Sequence, residues 1–295
     1  MTTATTTSFQ QHTTNTTYDN YFNSDEFSKK YTVDQSPNGF LGSGGYGDVF
    51  TAYRNSDGKE VAVKLIYKKK VDKWVDTARG VKVPMECHLL NVAKHIDGVV
   101  KLHDVFDLGR KHFLMVMEKF EKCQDLFAYI NDKEYLGEAE AKRIFRKVVT
   151  IAVELMKCKI LHRDIKAENI VLNMDDADQV MLIDFGLGCT VGDYKNHRFD
   201  YHLGTQIYKP PELLLNNWYL GPQATVWTLG ILLYSMTNGE LPFTTNEEIV
   251  SGEFDFRVNG LSKACKHLIT ACLNGNFKKR LKLSKILNHS WFRQQ

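Results

Sequence analysis

Carboxylate, amide and lysine side chains recur at a fixed spacing in the middle of this 295-residue chain. Residues 162–169 read His-Arg-Asp-Ile-Lys-Ala-Glu-Asn, so that Asn169 follows Asp164 by five positions. Asp184 ends the apolar run 180–183, which predicts a buried strand that delivers a carboxylate at its end. Carboxylate and amide oxygens suit a hard cation such as Mg²⁺, and Asp164 can accept or orient the proton of a hydroxyl group. The set predicts a metal-assisted reaction at a hydroxyl group.

A glycine-rich segment and a strand lysine precede these residues, and both suit phosphate. Gly42-Ser43-Gly44-Gly45-Tyr46-Gly47-Asp48-Val49 fits GxGxxGxV, in which glycine lets backbone N–H groups approach phosphate oxygens. The pattern alone is weak evidence. A dinucleotide-binding site would need a helix directly after the glycines, whereas a strand-like run follows here, which favours a hairpin that covers a nucleotide. Lys64 ends the strand-like run 61–64 and fits a lysine that holds the α- and β-phosphates, with Glu86 as the acid that pairs with it.

The elements around these residues predict a β-rich part followed by a larger α-rich part. From about 38 to 120, short β-branched and aromatic runs alternate with turn signals, and 49–53 and 60–66 form a predicted hairpin. Residues 1–22 are rich in threonine and predict a disordered tail. Apolar residues three and four apart predict helices over Val83–Lys94, Glu138–Lys157, Thr225–Thr237 and Ser262–Leu273.

The bulk composition argues against several classes of protein. A net charge of +3 is too small to indicate a nucleic-acid or membrane partner. The six cysteines show no CxxC spacing, which favours reduced thiols over a zinc site or a disulfide scaffold. We expect a soluble monomer of the cytoplasm or nucleus that binds neither nucleic acid nor membrane.

Taken in order, the motifs resemble the protein kinase superfamily from about Phe40 to Phe292. Within it, several strings are similar to the PIM serine/threonine kinases, namely residues 41–47, 83–86, 124–127, 161–166, 210–212, 226–234 and 288–292. The resemblance implies an α+β, bilobal kinase domain over residues 23–295. Its parts would be a β-rich N-lobe with one main helix (about 38–117), a hinge (118–122) and a helical C-lobe (123–292). It also implies transfer of the γ-phosphate of Mg-ATP to Ser/Thr hydroxyls of protein substrates.

Residue roles follow from the same resemblance. Lys166, two residues after Asp164, is typical of Ser/Thr rather than Tyr specificity, and Thr205 falls where a threonine bridges Asp164 and Lys166. Met117 would be the gatekeeper residue. The residues implied to contact the nucleotide are Leu41, Gly42, Ser43, Gly44, Gly45, Tyr46, Gly47, Val49, Ala62, Lys64, Met117, Glu118, Phe120, Asp125, Val171 and Ile183, and those implied to hold Mg²⁺ are Asn169 and Asp184.

PIM-like regulation is a further implication. PIM kinases act without phosphorylation of the activation loop, here 187–203, and we expect Asp200 to supply a built-in carboxylate for Arg163. The hinge departs from the PIM pattern, because Phe120 or Lys122 stands where PIM kinases have a proline that removes one backbone donor. The alternative phosphosites of the loop are Thr190, Tyr194 and Tyr201.

A preference for basic residues upstream of the acceptor would rest on acidic side chains around the cleft. Ala128 and Ala167 stand where the family usually has acids, so we expect a weaker preference. We also expect Glu212 to pair with Arg280. The acidic candidates are Asp125, Glu168, Glu240, Glu247 and Glu248.

Two alternatives compete with this interpretation. A pseudokinase would act as a nucleotide-binding scaffold, but such chains usually lack Lys64, Asp164 or Asp184, and all three are present. A small-molecule kinase of related fold is disfavoured by residues 210–212 and by the helical segment around Trp227, which are elements of a protein-substrate platform.

Overall fold

The computed structural model describes residues 24–45, 47–77, 80–192, 196–201 and 203–293. The predicted tail over residues 1–22 lies outside these ranges, as do Tyr46 and Tyr194. The chain divides into two units, one formed by residues 1–71 and 103–117 and the other by residues 72–102 and 118–295. Residues 72–102, which fall within the predicted N-lobe, thus belong to the second unit.

Strands dominate the first unit and helices the second, which confirms the α+β class. The strands are β1 (Tyr31–Val33), β2 (Phe40–Gly44), β3 (Gly47–Arg54), β4 (Glu60–Tyr67), β5 (Trp74–Asp76), β6 (Lys82–Pro84), β7 (Leu102–Asp107), β8 (His112–Glu118), β9 (Cys123–Asp125), β10 (Ile160–Leu161), β11 (Ile170–Asn173), β12 (Val180–Leu182), β13 (Cys189–Thr190), β14 (Arg198–Phe199) and β15 (Tyr219–Leu220). The helices are α1 (Asp25–Ser28), α2 (Met85–Val92), α3 (Leu126–Lys133), α4 (Glu138–Lys157), α5 (Pro211–Asn216), α6 (Gly221–Asn238), α7 (Asn246–Ser251) and α8 (Lys263–Cys272).

The first unit is built on a six-stranded sheet in the order β1-β3-β4-β8-β7, with β2 also paired to β3. The predicted hairpin is confirmed, because β3 and β4 are antiparallel neighbours with Val49 opposite Lys64. Val61, Val63 and Leu65 alternate along β4 and are fully buried in the core of this unit. One face of β4 therefore anchors the sheet, and the other face carries Lys64.

The predicted helices are confirmed, with differences at their ends. Helix α4 has the predicted bounds, whereas α2 is shorter than Val83–Lys94 because Pro84 is its N-cap residue. Helix α6 begins four residues before the predicted start, where Pro222 fits the first turn because its missing N–H is not needed there. Sequence periodicity thus locates each helix, and proline decides where two of them begin.

A buried ion pair and a buried helix stabilise the second unit. Arg280 donates two hydrogen bonds to the Glu212 carboxylate, at 2.9 and 2.7 Å, and both side chains are buried. This bidentate geometry is the strong form of a charge-assisted hydrogen bond, and it confirms the expected pair. Helix α6 is buried over most of its length and places Trp227 in the core. Within the described ranges, no helix has the length and apolar character needed to cross a bilayer.

Candidate active site

The loop between β10 and β11 brings predicted residues together around the carboxylate of Asp164. Asn169 donates through Nδ2 to Asp164 Oδ2 at 3.0 Å and to the Asp164 carbonyl at 2.8 Å. Lys166 Nζ lies 3.2 Å from Asp164 Oδ2 and donates to Thr205 Oγ1 at 2.9 Å. The carboxylate is therefore oriented by an amide and an ammonium group, and the lysine links it to the segment that carries Thr205.

His162 is a buried support for this loop that the sequence identifies only as part of a motif. Burial lowers the pKa of His162, so the ring is neutral at physiological pH. Its Nδ1 accepts from the Asp164 N–H at 3.3 Å, which leaves Nε2 as the donor to the Ile183 carbonyl at 3.0 Å. The ring also packs edge-on against Phe185, with centroids 4.6 Å apart. One tautomer of His162 thus links the segments that carry Asp164 and Asp184.

Asp184 follows the buried strand β12, as the apolar run predicts. Strands β11 and β12 are antiparallel, and the Ile183 N–H donates to the Asn169 carbonyl at 2.9 Å. Asp184 and Arg163 both have positive φ values, of 60° and 68°. Non-glycine residues rarely adopt this conformation, and strained backbone clusters at functional sites. The pairing places Asn169 and Asp184 on adjacent segments.

The donor atoms of these two residues fit Mg²⁺. Nδ2 of Asn169 is used by Asp164, which leaves its amide oxygen as the atom suited to a cation. Asp184 contributes carboxylate oxygens, one of which accepts from the Gly186 N–H at 3.3 Å. No group of three or more His, Cys, Asp or Glu suited to a metal occurs in the described part of the chain. A set of few protein oxygens is typical of Mg²⁺, which completes its octahedron with water and phosphate oxygens.

The first unit carries the predicted phosphate-binding residues. Strands β2 and β3 form a hairpin with Gly44 opposite Gly47, and a side chain at position 47 would collide with the Leu65 carbonyl oxygen. Val49 and Ala62 are half-buried, whereas Lys64 is buried. Because Val49 lies opposite Lys64 and Ala62 is two residues from Lys64, these side chains share one face of the sheet.

The expected contacts Met117, Glu118 and Phe120 lie where the chain passes from the first unit to the second, a segment that we call the connector (118–122). Glu86 is buried in α2 of the second unit, while Lys64 belongs to the first, so their pairing stays a prediction. Met117 is the buried last residue of the first unit. In the connector, the Phe120 carbonyl accepts from Lys119 Nζ at 3.3 Å.

Asp125 and Val171 face each other across the β9–β11 pair. The Asp125 carboxylate accepts from the Ala128 N–H at 2.8 Å and thereby caps α3. Ile183 is half-buried and directly precedes Asp184. The carboxylate of Asp125, an expected nucleotide contact, therefore already stabilises the N-terminus of α3.

The expected contact between Arg163 and Asp200 is wrong. Within the residues that the structure describes, Asp200 forms no ion pair, and Arg163 donates from Nη2 to the Tyr219 hydroxyl at 3.1 Å. The guanidinium also lies over two rings, 4.6 Å from the Phe199 centroid and 5.4 Å from that of Tyr201. An aromatic environment takes the place of the expected carboxylate, and we call these three aromatic residues the Arg163 cage.

The cage holds the guanidinium mainly through its rings. Nε and Nη1 of Arg163 are buried and have no hydrogen-bond partner among the described residues. Burial raises the pKa of Tyr219, so its hydroxyl stays neutral and accepts from Nη2 as a dipole rather than as an anion. Among the described residues, Arg163 is therefore positioned by aromatic side chains and has no carboxylate partner.

Strand pairing fixes the segment that contributes Phe199 to the cage. Near its start, β13 pairs with β10, with Cys189 opposite Leu161. Further along, β14 pairs with β15, with Phe199 opposite Tyr219, and their rings stack at 5.2 Å between centroids. Both pairs are antiparallel, so backbone hydrogen bonds hold this segment at two places.

The five acidic candidates for substrate recognition differ in how they are engaged. Glu168 and Glu247 are exposed. Burial raises the pKa of the Tyr208 hydroxyl, and the nearby negative charges of Glu168 and Asp164 raise it further. The other three candidates already have partners, because Asp125 caps α3, Glu240 lies 3.4 Å from Arg257, and Glu248 forms a capping box with Thr245.

Comparison with known proteins adds an independent result. Residues 36–292 match the family model described as the protein kinase domain. Serine/threonine-protein kinase pim-2 of Danio rerio is 37% identical over 277 residues, which cover 90% of this chain and 86% of that protein. Serine/threonine-protein kinase prk-2 of Caenorhabditis elegans is 36% identical over 274 residues, 92% of this chain and 60% of that protein. A PAS domain-containing serine/threonine-protein kinase of Mus musculus is 35% identical over 266 residues, 86% of this chain but only 18% of that protein.

Proposed function

The chain belongs to the protein kinase family and is a protein serine/threonine kinase, and on this premise we propose that Asp164, Lys166 and Asn169 form its catalytic centre. Members of this family act on proteins and use ATP with Mg²⁺. The proposal rests on one observation, the hydrogen-bonded group that Asn169, Lys166 and Thr205 form around the Asp164 carboxylate. A scaffold that binds nucleotide without turnover would not need this arrangement.

Asp164 accepts or orients the proton of the acceptor hydroxyl as the hydroxyl oxygen bonds to the γ-phosphorus and the bond to the leaving ADP oxygen breaks. Lys166, beside Asp164, offers positive charge to the transferred phosphate, and Thr205 holds the lysine in place. Asn169 fixes the rotamer of Asp164. These groups contribute position and charge rather than covalent participation.

The remaining site residues serve the nucleotide. Asn169 and Asp184 would hold Mg²⁺, which when bound would neutralise charge on the phosphate oxygens. Lys64, supported by Glu86, pairs with the α- and β-phosphates, and residues 41–47 cover them. The contacts to adenine and ribose come from Val49, Ala62, Met117, Glu118, Phe120, Asp125, Val171 and Ile183.

The kinase is further proposed to be active without phosphorylation of its activation loop. Arg163 is positioned by a hydroxyl group and two rings, contacts that hold a guanidinium without a phosphate. The antiparallel pairs β10–β13 and β14–β15 support the same conclusion, since they order the segment without any modification.

A moderate preference for basic residues upstream of the acceptor is the second finer proposal. Glu168 is exposed and directly precedes Asn169, which makes its carboxylate a partner for an arginine of the substrate. The preference is moderate because Asp125, Glu240 and Glu248 are already engaged within the protein.

The test uses purified unphosphorylated protein with Mg-ATP and three peptides, an arginine-rich serine peptide, an acidic serine peptide and a tyrosine peptide. We expect the fastest transfer to the arginine-rich peptide, slower transfer to the acidic one, and none to tyrosine. Asp164→Asn should lower kcat by about 10²- to 10⁴-fold, the usual contribution of a general base. The matched control is Asp178→Asn, which changes an exposed carboxylate of the same unit.

The catalytic assignment and the proposed substrate preference are contradicted by different outcomes. Unchanged transfer by Asp164→Asn, or no transfer by the wild type, contradicts the catalytic assignment. Glu168→Gln should raise KM for the arginine-rich peptide alone, while Glu253→Gln, at another exposed carboxylate, should not. Equal KM values for Glu168→Gln and the wild type would contradict only the specificity proposal.

A cytoplasmic or nuclear location and a monomeric state complete the proposal. All six cysteines are free, which suits a reducing compartment. Light scattering of the purified protein tests the monomer, and microscopy of a fluorescent fusion tests the location.

A further inference from the structure

A row of alternating cations and aromatic rings lies on the surface of the second unit, outside the candidate active site. The Arg198 guanidinium lies 4.2 Å from the Trp218 ring centroid, and Trp218 packs edge-on against Phe277 at 5.5 Å. Lys278 Nζ lies 6.0 Å from the Phe277 centroid. Both aromatic residues are half-buried, while Arg198 and Lys278 are exposed. We call these four residues the cation–aromatic ridge.

Hydrogen bonds order both ends of the ridge. Arg198 belongs to β14 and pairs with Leu220. At the other end, Asn276 accepts from the Lys278 N–H at 3.0 Å through its side chain and from the Arg280 N–H at 3.0 Å through its carbonyl. These hydrogen bonds join the turn at residues 276–280 to Arg280, which is held by the buried pair with Glu212. A surface that is ordered before binding loses less entropy when a partner docks.

Three exposed cations, Arg198, Lys278 and Lys279, belong to the ridge or directly adjoin it in the chain. Across the described ranges, neither Arg198, Lys278 nor the exposed Lys279 forms an ion pair with a carboxylate. The sequence contributes to this, because residues 256–295 contain nine Lys and Arg residues and no Asp or Glu. Of the nine, Arg257 and Arg280 pair with Glu240 and Glu212 from earlier in the chain. The last acidic residue of the chain is Asp255. Charge complementarity therefore calls for an anionic partner at this surface.

We propose that the cation–aromatic ridge docks a carboxylate-rich, extended segment of another protein that also carries an apolar side chain. The face of Arg198 is used by Trp218, which leaves its N–H edge for a carboxylate. Lys278 and Lys279 supply two further positive charges, and the exposed parts of the rings accept the apolar side chain. The inference concerns binding and does not depend on phosphoryl transfer.

Other anionic partners fit the ridge less well. Nucleobases bind by stacking on open ring faces, but cations already lie over both rings of the ridge. Anionic membranes recruit clusters of about four to eight cations, whereas Arg198, Lys278 and Lys279 are fewer. A carboxylate-rich peptide needs only a few cations and an apolar contact, and the ridge provides both.

The test measures fluorescence anisotropy of a labelled peptide in which Glu and Asp surround one Leu and one Phe, with this 295-residue chain as binder. We expect saturable binding that weakens at about 1 M salt, where the Debye length falls to about 3 Å. The amide version of the peptide, with Gln and Asn, should bind at least about tenfold more weakly, because charge pairing is lost. An oligothymidine and phosphatidylserine vesicles are the competing probes.

Variants locate the binding. The double variant Lys278→Glu with Lys279→Glu should weaken peptide binding at least about tenfold, since it places like charges opposite the peptide. The matched control, Lys282→Glu with Lys285→Glu, makes the same charge change at exposed lysines of the same region and should bind as the wild type does. Phe277→Leu, which keeps the charges and removes a ring, should weaken binding as well. Circular dichroism verifies that each variant is folded.

Three results would overturn the proposal. They are absence of peptide binding by the wild type, equal losses in the two lysine variants, and tighter binding of oligothymidine or vesicles than of the peptide. Activity on the short arginine-rich peptide should be unchanged in Lys278→Glu with Lys279→Glu. Failure of docking and failure of catalysis are therefore read from separate measurements.

Discussion

The carboxylate of Asp164 is buried, and a charge in that position is costly unless polar groups surround it. Asn169 and Lys166 supply those groups, and Lys166 is in turn held by Thr205. Each of these contacts restricts the rotation of the Asp164 carboxylate. At the scale of single residues, the site is a set of side chains that hold one another in place.

Thr205 is the residue whose contribution can be isolated most cleanly. Thr205→Val keeps the shape of the side chain but removes the hydroxyl that accepts from Lys166 at 2.9 Å. The lysine then loses its fixed position, and we expect kcat/KM to fall by about 10- to 100-fold, since small misplacements of catalytic groups carry costs of this size. Steady-state kinetics with the arginine-rich peptide measure the effect.

The conservative variant serves as the control for Thr205. Thr205→Ser retains a hydroxyl at the same position and should recover most of the lost activity. If Thr205→Ser were as impaired as Thr205→Val, the hydrogen bond to Lys166 would not account for the loss, because serine retains the hydroxyl group.

At the scale of elements, secondary structure is predictable where it depends on local pattern. The amphipathic spacing of Glu138–Lys157 predicts both ends of α4, and the alternating run at 60–66 predicts β4. Motif spacing also identifies Asp164, Lys166 and Asn169, which the fold brings together because they share one loop. Short-range constraints of this kind can be read directly from the residues.

Contacts between distant segments are not predictable in the same way. The sequence predicts that Arg163 meets Asp200, whereas its guanidinium lies over the ring of the neighbouring Phe199. Successive residues of a strand point to opposite faces, so the β14–β15 pairing decides which side chain reaches Arg163. That register depends on tertiary pairing with Tyr219, which lies 56 residues after Arg163 in the chain.

The Arg163 cage yields a prediction about the pairing of β14 with β15. Tyr219→Phe removes the hydroxyl that accepts from Arg163, and an unpaired buried donor costs about 1–3 kcal/mol. Phe199→Leu removes one ring beneath the guanidinium, a contact worth about 0.5–2 kcal/mol. We expect both changes to loosen the strand pair and to lower kcat of the unphosphorylated enzyme. Phosphatase-treated protein, verified by mass spectrometry, is the sample for these kinetics.

A tyrosine outside the cage provides the comparison. Tyr129→Phe removes a hydroxyl that donates to Glu140 at 2.6 Å in the same unit, and it should leave kcat unchanged. Wild-type activity in both cage variants would contradict the role of the Arg163 cage. Activity that arises only after loop phosphorylation would contradict the proposal of phosphorylation-independent activity.

At the scale of the whole molecule, two histidines outside the candidate active site connect stability to pH, in addition to the buried His162. Burial is the main cause that lowers the pKa of His112 in the first unit and of His289 in the second. The positive charges of nearby lysines lower the pKa of His112 further. His267, whose ring nitrogen lies 2.7 Å from that of His289, does the same for His289. Each unit therefore contains a histidine that binds a proton less readily in the folded state than in the unfolded chain.

The sign of the resulting pH dependence follows from proton counting. Between the lowered pKa of the folded state and the ordinary value of 6.5, the unfolded chain binds more protons than the folded protein does. The contribution to stability is therefore complete above pH 6.5 and is lost as the pH falls through that value. Each histidine contributes at most about 1.4 kcal/mol for each pH unit below it.

Urea unfolding followed by tryptophan fluorescence, at pH values from about 7.5 down to 5.5, measures this dependence. We expect the free energy of unfolding to fall over that range, and a double variant, His112→Gln with His289→Gln, to flatten the fall because these two groups no longer titrate. Glu138 contributes to the pH dependence of stability only at lower pH. Burial alone would raise the pKa of its carboxyl group, but hydrogen bonds from Ser262 and Trp291 lower it below the ordinary value of 4.5. Stability that stays level or rises as the pH falls to 5.5 would mean that both histidines gain protons in the folded state as readily as in the unfolded chain.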